Sequence, residues 1–320
     1  MTRLILGSRG SALALAQVEL TRAALARALP ELAVEVKTIV TRGDKKLDLS
    51  LVRASEAGGK GLFTKELEDA LLAGTIDAAV HSLKDLPGHN PPGLAVTAIL
   101  ERASTADVLV SRLPGGFDAL PRGAVVGTSS DRRARQLRWL RMDLQVEDWR
   151  GNVQTRLRKL GENEHVAAIV LAQAGLERLG FNCASGTLDF EPWKFHVHSL
   201  RDRLLPAIGQ GAIALQSRAD RSEVTAILQR IDHAPTHIAI RAERELQRLL
   251  AGDCTLPVGI RTELAGHRLL AQAILFSPDE TAPPSRAAAT GDAKDPEQVA
   301  AKLFERLLPQ AVARGFPAPR

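Results

Sequence analysis

The segment Ile76-Asp77-Ala78-Ala79-Val80-His81-Ser82-Leu83-Lys84-Asp85-Leu86-Pro87 sets the pattern for the first half of the chain. Its first five residues are mostly apolar, which predicts a buried strand, and Pro87 ends the pattern. His, Ser, Lys and Asp side chains follow this strand directly. Because ligands of α/β proteins bind at the carboxyl ends of strands, this cluster predicts a functional site. The alternative is a turn whose Lys84 and Asp85 face solvent.

Strands and helices alternate around this segment. A strand at Leu4–Leu6 and a helix from Ala12 to Leu29 begin an alternation that continues to about residue 180. Such alternation is typical of α/β folds with parallel strands. Residues 181–203 are predicted to be irregular, and the Pro-, Ala- and Ser-rich residues 281–293 are predicted to form a flexible hairpin or loop. A final helix is predicted from Pro296 to Leu308.

The turn Gly7-Ser8-Arg9-Gly10-Ser11 connects the first predicted strand to the first predicted helix. A helix N-terminus has unpaired N–H groups and the positive end of the helix dipole. The turn therefore predicts an anion site to which Arg9 and Ser11 add donors. The alternative is a Ser11 helix cap beside a solvated Arg9.

The same arrangement occurs a second time at Gly127-Thr128-Ser129-Ser130, before a helix that begins at Asp131. The first turn of that helix contains Arg132, Arg133 and Arg135. Cations at a helix N-terminus oppose the dipole, which disfavours a purely structural role. An anion shared by the hydroxyls, the helix and the arginines would remove this conflict, so we predict a second anion site here.

Composition narrows the class of protein. The chain has 320 residues, of which 45% are hydrophobic and 3% aromatic, and it contains no Tyr. The lack of aromatic residues disfavours binding of single-stranded nucleic acid, which depends on base stacking. The net charge of +5 predicts an acidic ligand, and the scattered basic residues favour small anions. Two cysteines, no apolar leader and no apolar segment of about 18 residues predict a cytoplasmic protein.

Two short patterns resemble a phosphate-binding loop and a metal site but lack residues that such sites require. Gly58-Gly59-Lys60-Gly61 resembles a phosphate-binding loop, but Lys60 is not followed by Ser or Thr, so residues 45–61 are predicted to form a mobile loop or lid. His196 and His198 would share one face of a strand. No third ligand has a suitable spacing, so no metal site is predicted.

One carboxylate and one thiol stand out among the basic candidates. Asp85 is a single acid in a set of Lys and Arg residues, where it would stabilise a cationic intermediate or transfer a proton. Cys254 lies in a Gly-containing loop, where a thiolate would be accessible. The alternative for Cys254 is an inert core residue.

Seven motifs occur in a fixed order and together resemble the porphobilinogen deaminase (hydroxymethylbilane synthase) family over residues 3 to about 260. They are Thr41-Arg42-Gly43-Asp44, Gly58-Gly59-Lys60-Gly61-Leu62-Phe63, Ala79-Val80-His81-Ser82-Leu83-Lys84-Asp85, Gly127-Thr128-Ser129-Ser130, Arg150-Gly151-Asn152-Val153, Gly209-Gln210-Gly211-Ala212 and Cys254-Thr255-Leu256-Pro257-Val258-Gly259.

The resemblance implies an α/β fold of three domains. Residues 1–101 with 212–231, and residues 102–211, are expected to form two domains like those of periplasmic binding proteins, with mixed, mainly parallel sheets. Residues 232–320 are expected to form a small α+β domain that carries Cys254.

The resemblance also implies a transferase of tetrapyrrole (haem) biosynthesis. Such an enzyme joins four porphobilinogen units head to tail, releases ammonia at each step and frees hydroxymethylbilane. Its dipyrromethane cofactor would be bound covalently through a thioether to Cys254, and Asp85 matches the catalytic aspartate. The expected partner is the small-molecule substrate, with no nucleic acid or membrane, and the protein is expected to be a monomer.

The remaining matched positions fall into two groups. The resemblance assigns cofactor binding to Ser82, Lys84, Thr128, Ser130, Arg132 and Arg133. It assigns binding of substrate acetate and propionate groups to Arg9, Ser11, Arg150, Arg156 and Arg178.

Three residues depart from the family pattern. Asp131 stands where an apolar residue is usual, Trp149 where leucine is usual, and Asp253 where glycine is common; Asp131 and Asp253 would act on cofactor affinity or thiol reactivity.

The main alternative function is a non-enzymatic clamp for a small carboxylate or phosphate, which the fold alone would permit. Asp85 and Cys254 favour chemistry over binding alone, and a nucleic-acid binder ranks third.

Overall fold

The computed structural model describes residues 1–41, 64–250, 256–278 and 282–316. The chain divides into two compact units, Met1–Ala103 with Gly211–Arg241 and Ser104–Gln210 with Ala242–Arg320. The division into three domains stays a prediction. The predicted lid at 45–61 and the predicted attachment residue Cys254 lie outside the described residues, as does Asp253.

The described residues contain fourteen strands, numbered in chain order. They are β1 (Arg3–Ser8), β2 (Ala33–Thr38), β3 (Ala78–Ser82), β4 (Leu94–Ile99), β5 (Asp107–Ser111), β6 (Val125–Gly127), β7 (Gln145–Glu147), β8 (Val166–Ala172), β9 (Thr187–Phe190), β10 (Trp193–Ser199), β11 (Ile213–Arg218), β12 (Val258–Ala265), β13 (Arg268–Leu275) and β14 (Ser285–Asp292).

Eight α-helices lie in the same described ranges. They are α1 (Ala12–Ala28), α2 (Lys65–Leu72), α3 (Asp131–Leu140), α4 (Val153–Glu162), α5 (Gln173–Arg178), α6 (Ser222–Gln229), α7 (Ala234–Leu249) and α8 (Pro296–Val312). A short 3-10 helix, Leu83–Asp85, directly follows β3.

The first unit is built on a five-stranded sheet in the order β2-β1-β3-β11-β4. Strands β1, β2 and β3 are parallel, β11 is antiparallel to both of its neighbours, and β4 therefore runs with the first three. Apolar side chains of β1, including Leu4 and Leu6, pack against Val18 and Leu25 of α1. Because β3 is central and flanked on both sides, its residues 78–81 are all buried.

The second unit contains a six-stranded sheet in the order β7-β6-β8-β5-β10-β9. Strands β6, β7, β8 and β10 share one direction, whereas β5 and β9 run the opposite way. A separate antiparallel sheet, β12-β13-β14, is formed near the C-terminus. The apolar face of α8 packs on it and buries Val299, Leu303 and Leu307. The predicted α/β class with mixed, mainly parallel sheets is confirmed.

One local prediction was wrong. Residues 181–203 are not irregular, because β9 and β10 pair as an antiparallel hairpin whose Leu188 and Phe195 enter the core. Of the hairpin or loop predicted near the C-terminus, the hairpin is correct, because Ser285–Asp292 form β14, which pairs antiparallel with β13. Its small side chains carry little hydrophobic signal, and the neighbouring strand and α8 supply the burial that fixes it.

No helix in the described part of the chain is both long enough and apolar enough to cross a membrane.

Candidate functional site

A cleft of about 410 Å³, part of it open to solvent, lies at the carboxyl ends of β1 and β3. Four residues predicted to be functional line it: Arg9, Ser11, Ser82 and Asp85. Strands β1 and β3 are parallel neighbours, so the turn after β1 and the 3-10 helix after β3 reach the same edge of the sheet. Lys84 is half-buried and is not among the described residues that line this cleft.

Ser11 has a structural task as well as its predicted one. It is the N-cap of α1, and its Oγ accepts a hydrogen bond from Ala14 N at 3.3 Å. The capping alternative is therefore correct as a description of the helix start. Because the hydroxyl hydrogen is not used by this bond, Ser11 retains a donor for an anion beside Arg9.

Three polar residues of this cleft carried no assigned role in the sequence: Gln17, Thr64 and His81. Gln17 is 2% exposed, and its Nε2 donates to Ser82 Oγ at 2.7 Å. The signal that would have found it is a polar residue on the buried face of α1, one position before Val18 and one turn before Thr21. Gln17 thereby fixes Ser82 at the cleft wall.

His81 lies at the inner wall of the cleft and is 5% exposed. Its Nε2 lies 3.2 Å from Gln216 Oε1 on β11. Burial lowers the pKa of His81 to about 4; the hydrogen bond with Gln216 opposes this shift, and the charge of Arg9 adds to it. The imidazole is therefore neutral at physiological pH.

In the second unit, Arg132 and Arg133 turn inward to one buried carboxylate, Asp107. Arg132 Nη2 lies 2.8 Å from Asp107 Oδ2, and Arg133 Nη2 lies 2.6 Å from Asp107 Oδ1. Burial alone would raise the pKa of Asp107, but the two arginine charges and the hydrogen bonds from Arg133 and Gln210 hold it well below its usual range. Asp107 neutralises these cations near the positive end of the α3 dipole, and no local sequence pattern predicted this pairing.

Gln210 explains part of the Gly209-Gln210-Gly211-Ala212 motif. Its Nε2 donates to Asp107 Oδ1 at 2.9 Å and to Thr105 O at 2.7 Å. Gly209 and Gly211 have φ values of 70° and 86°, in the left-handed region that favours glycine. The motif therefore brings a side-chain amide to the buried charge cluster.

The turn before α3 presents donor groups. Ser130 N donates to Thr128 Oγ1 at 3.2 Å, and Ser130, the N-cap of α3, makes no side-chain capping bond. Arg132 Nε is buried and has no hydrogen-bond partner within the described residues. An anion at this helix N-terminus would satisfy such groups.

Two of the family departures have defined neighbours. Asp131 pairs with Arg135 one turn along α3, at 2.8 Å. Trp149 is buried, and its Nε1 donates to Arg156 O at 3.2 Å. A Cβ atom placed on Gly127 would lie 2.8 Å from the Trp149 ring, so the glycine leaves room for the larger side chain.

The other basic candidates of the second unit lie on separate segments. Arg156 on α4 donates to Ser129 Oγ at 3.2 Å and to Gly151 O at 2.7 Å. Arg150 pairs with Asp148 at 2.7 Å. Arg178 ends α5, where burial lowers its pKa to about 10 and the charge of Glu177 opposes the shift. Arg156 is thus joined directly to the Thr128–Ser130 turn.

Among the described residues, no group of three His, Cys, Asp or Glu side chains has the geometry of a metal site.

Sequence comparison gives the relatives of this chain. Residues 4–226 match the family model "Porphobilinogen deaminase, dipyrromethane cofactor binding domain", and residues 237–309 match "Porphobilinogen deaminase, C-terminal domain". The chain is similar to the porphobilinogen deaminase of Roseiflexus sp., with 46% identity over 307 residues and 96% of each chain covered. It is also similar to that of Syntrophomonas wolfei, with 46% identity over 279 residues and 87% of each chain covered.

Among solved structures, the methionine binding protein MetQ matches 72% of this chain and 90% of its own length, with 13% identity and a TM-score of 0.41. The first family model spans the motifs around Asp85 and Thr128. The chain belongs to the porphobilinogen deaminase family, transferases of tetrapyrrole biosynthesis with a dipyrromethane cofactor.

Proposed function

We propose that this protein joins four porphobilinogen units into hydroxymethylbilane, releases ammonia at each step and starts from a dipyrromethane primer bound to Cys254. The observation that carries the proposal is the position of Asp85, an exposed carboxylate in a cleft that also contains Arg9 and Ser11. Membership of the porphobilinogen deaminase family supplies the reaction class.

The donors of the second unit fit a cofactor that carries several carboxylates. The buried Arg132 Nε needs an acceptor, and the N-terminus of α3 has no side-chain cap. Carboxylates suit both features. We assign the holding of the cofactor to Ser82, Lys84, Thr128, Ser130, Arg132 and Arg133, and its thioether attachment to Cys254. When bound, the dipyrromethane supplies the pyrrole carbon to which the first substrate unit is joined.

Asp85 has the central chemical role in this proposal. When the substrate loses ammonia, positive charge develops on its pyrrole, and a carboxylate beside it stabilises that charge. Asp85 also holds the proton that is released as each carbon–carbon bond forms. The acetate and propionate groups of the substrate and the growing chain are assigned to Arg9, Ser11, Arg150, Arg156 and Arg178.

The first test is turnover by Asp85→Asn, which keeps the size of the side chain and removes its charge. We expect at least a hundredfold loss of hydroxymethylbilane and ammonia formation, because charge stabilisation and proton transfer are lost together. Asp189→Asn, which changes an exposed carboxylate of the second unit, is the control and should keep wild-type turnover. Equal rates for wild type and Asp85→Asn would contradict the role of Asp85.

The second test is the intact mass of protein from cells that make porphobilinogen. We expect wild type to carry a two-pyrrole adduct and Cys254→Ser to lack it. Wild type without an adduct that binds porphobilinogen but releases no ammonia would favour the alternative of a non-enzymatic binding protein.

We also propose that the protein acts in the cytoplasm as a monomer, with the small-molecule substrate as its partner and with neither nucleic acid nor membrane. The content of two cysteines and the 3% of aromatic residues support this proposal.

A further inference from the structure

Attachment of the cofactor makes a geometric demand on the second unit. The proposed function places the carboxylates of the cofactor at the N-terminus of α3 and its thioether at Cys254. One small molecule meets both only if the segment that follows Cys254 keeps a fixed position relative to α3, because reacting groups must be held to about 0.5 Å. The described part of that segment begins at Leu256 and leads into β12.

Arg135 of α3 is bonded to the strand pair that follows Cys254, and all of these residues belong to the second unit. Its Nη1 donates to Ser277 O at 2.5 Å, two residues beyond the end of β13. Phe276, the residue before Ser277, donates its backbone N–H to Pro257 O at 3.2 Å. The bond from Arg135 therefore acts at the entrance to β12, three residues after Cys254.

Asp131 holds the guanidinium of Arg135 in the orientation that this bond requires. Arg135 Nε lies 2.8 Å from Asp131 Oδ2 and 3.0 Å from Asp131 Oδ1, one helical turn away. The Arg135 side chain is only 14% exposed, which favours a single orientation. Because Nε and Nη1 belong to one rigid plane, fixing Nε on Asp131 directs Nη1 toward Ser277.

A second side chain of α3 reaches the same strand. Gln136 Oε1 accepts from Leu205 N at 2.8 Å, and Gln136 Nε2 donates to Leu205 O at 3.0 Å. Pro206, the next residue, accepts through its O from Ile260 N of β12 at 2.9 Å. Gln136 and Arg135 therefore fix β12 relative to α3 at two points, and the contact of Arg135 is nearer to the start of the strand.

We propose that Arg135, oriented by Asp131, is a positioning residue that holds the segment following Cys254 against α3 for attachment of the cofactor. This inference rests on the proposed function. In the attachment step the Cys254 thiol forms a C–S bond to the aminomethyl carbon of porphobilinogen, the C–N bond breaks, and the thiol proton leaves with the amine as ammonia. A second porphobilinogen is joined to the first with loss of a second ammonia, and neither step needs an oxidant or a reductant.

The same geometry separates attachment from turnover. Before the C–S bond exists, the thiol and the carboxylate-binding groups are held together only by contacts such as that of Arg135. Once it exists, the thioether itself links the cofactor to Cys254. Arg135 is therefore needed for attachment more than for the later joining of substrate units.

The structural link is tested by amide hydrogen exchange in the full-length protein. In Arg135→Ala we expect the Phe276 N–H, which is bonded to Pro257 O, to exchange about tenfold faster than in wild type. Arg112→Ala is the matched control, because Arg112 also donates to a backbone carbonyl of the second unit, Asn163 O at 3.0 Å. It should leave the Phe276 exchange unchanged.

The effect on attachment is tested with protein made in cells that lack porphobilinogen. After porphobilinogen is added, intact mass follows the two-pyrrole adduct. We expect Arg135→Ala to form the adduct about tenfold more slowly than wild type, and Arg112→Ala to form it at the wild-type rate. Asp131→Asn, which removes the charge that orients the guanidinium, should slow it about threefold, and Arg135→Lys, which keeps a donor for Ser277 O, should recover most of the rate. Once loaded, Arg135→Ala should keep kcat within about twofold of wild type.

The outcomes distinguish positioning from other roles. Equal attachment rates in wild type and Arg135→Ala would overturn the inference, even if the variant unfolds at lower denaturant concentration. A loaded Arg135→Ala whose kcat falls as far as its attachment rate would place Arg135 among the groups that hold substrate, and would reject the positioning role. If wild type forms no adduct, the proposed function fails, while the Phe276 exchange still decides whether Arg135 fixes this segment; an unchanged exchange in Arg135→Ala would reject that link.

Discussion

At the scale of single residues, the sequence predicted several polar residues of the Asp85 cleft but not the buried carboxylate of Asp107. Arg9, Ser11, Ser82 and Asp85 were predicted to be functional, and they share one cleft because they lie at the carboxyl ends of the parallel strands β1 and β3. Asp107 was not predicted, although it is the partner of two predicted residues. It lies about 25 positions before them in sequence, at the start of an apolar strand, where a single acid gives no periodic signal. Such a pairing depends on how strands are ordered in the sheet, which the local pattern does not contain.

Asp107→Asn tests that buried cluster. Removing the carboxylate leaves the Arg132 and Arg133 charges buried without their anion, so we expect unfolding in denaturant to require about 3 to 5 kcal/mol less free energy at pH 7. Asp220→Asn, which breaks the exposed pair with Arg218, is the matched control and should cost about 1 kcal/mol or less.

The effect of Asp107 on stability also depends on pH in a known direction. Its pKa in the folded protein is depressed, so its stabilisation is fully present above the unfolded pKa of about 3.9 and is lost as pH falls toward the folded value. The difference between wild type and Asp107→Asn should therefore shrink between about pH 4 and pH 2. A difference that stays constant over this range would contradict the assigned cause.

Elements were predicted best where their hydrophobic pattern is strong. Helix α1 was found from its long run of Ala and Leu residues, and strand β3 from its short, continuous apolar run. Strand β14 was predicted only as a hairpin or loop, because its residues are small or polar and its burial comes from β13 and α8. The turn between β6 and α3 was predicted from its glycine and hydroxyl residues, but the packing of Trp149 beneath it was not.

Gly127→Ala tests the packing beneath this turn. The added Cβ would lie 2.8 Å from the Trp149 ring and 3.0 Å from Ile169 Cγ2, so we expect about 1 to 3 kcal/mol of destabilisation. In the double variant Gly127→Ala/Trp149→Leu the smaller side chain should relieve part of this cost. The loss measured by denaturant unfolding should then be smaller than the sum of the two single losses. Strict additivity would show that the ring does not set the size limit at residue 127.

The whole molecule has a net charge of +5, which acts on any anionic substrate before contact is made. Its arginines also pair within the fold, as those facing Asp107 do, so composition alone did not reveal how many serve a ligand. The family is recognised from ordered motifs between residues 41 and 259, whereas the internal charge pairs of the protein are visible only in the folded structure.

Salt should therefore weaken substrate capture more than chemistry. We expect KM for porphobilinogen to rise about two- to fivefold between about 20 and 200 mM sodium chloride, with kcat changed less, because exposed charges are screened over about 10 Å or less. Steady-state kinetics at constant pH measures both constants. A KM that is independent of salt would show that the net charge does not contribute to binding.

Strand β11 has a consequence for how the protein is made. It lies between β3 and β4 in the first sheet, yet it follows β4 in the chain by more than a hundred residues. On a ribosome that adds about 5 to 20 residues per second, β3 and β4 wait about 6 to 24 s for their shared neighbour. A nascent chain that ends at residue 103 has Asp85 and His81 but not Gln216, and its two sheet edges are open to wrong pairing. Strand β11, and with it Gln216, the hydrogen-bond partner of His81, is therefore added only after the second sheet has been synthesised.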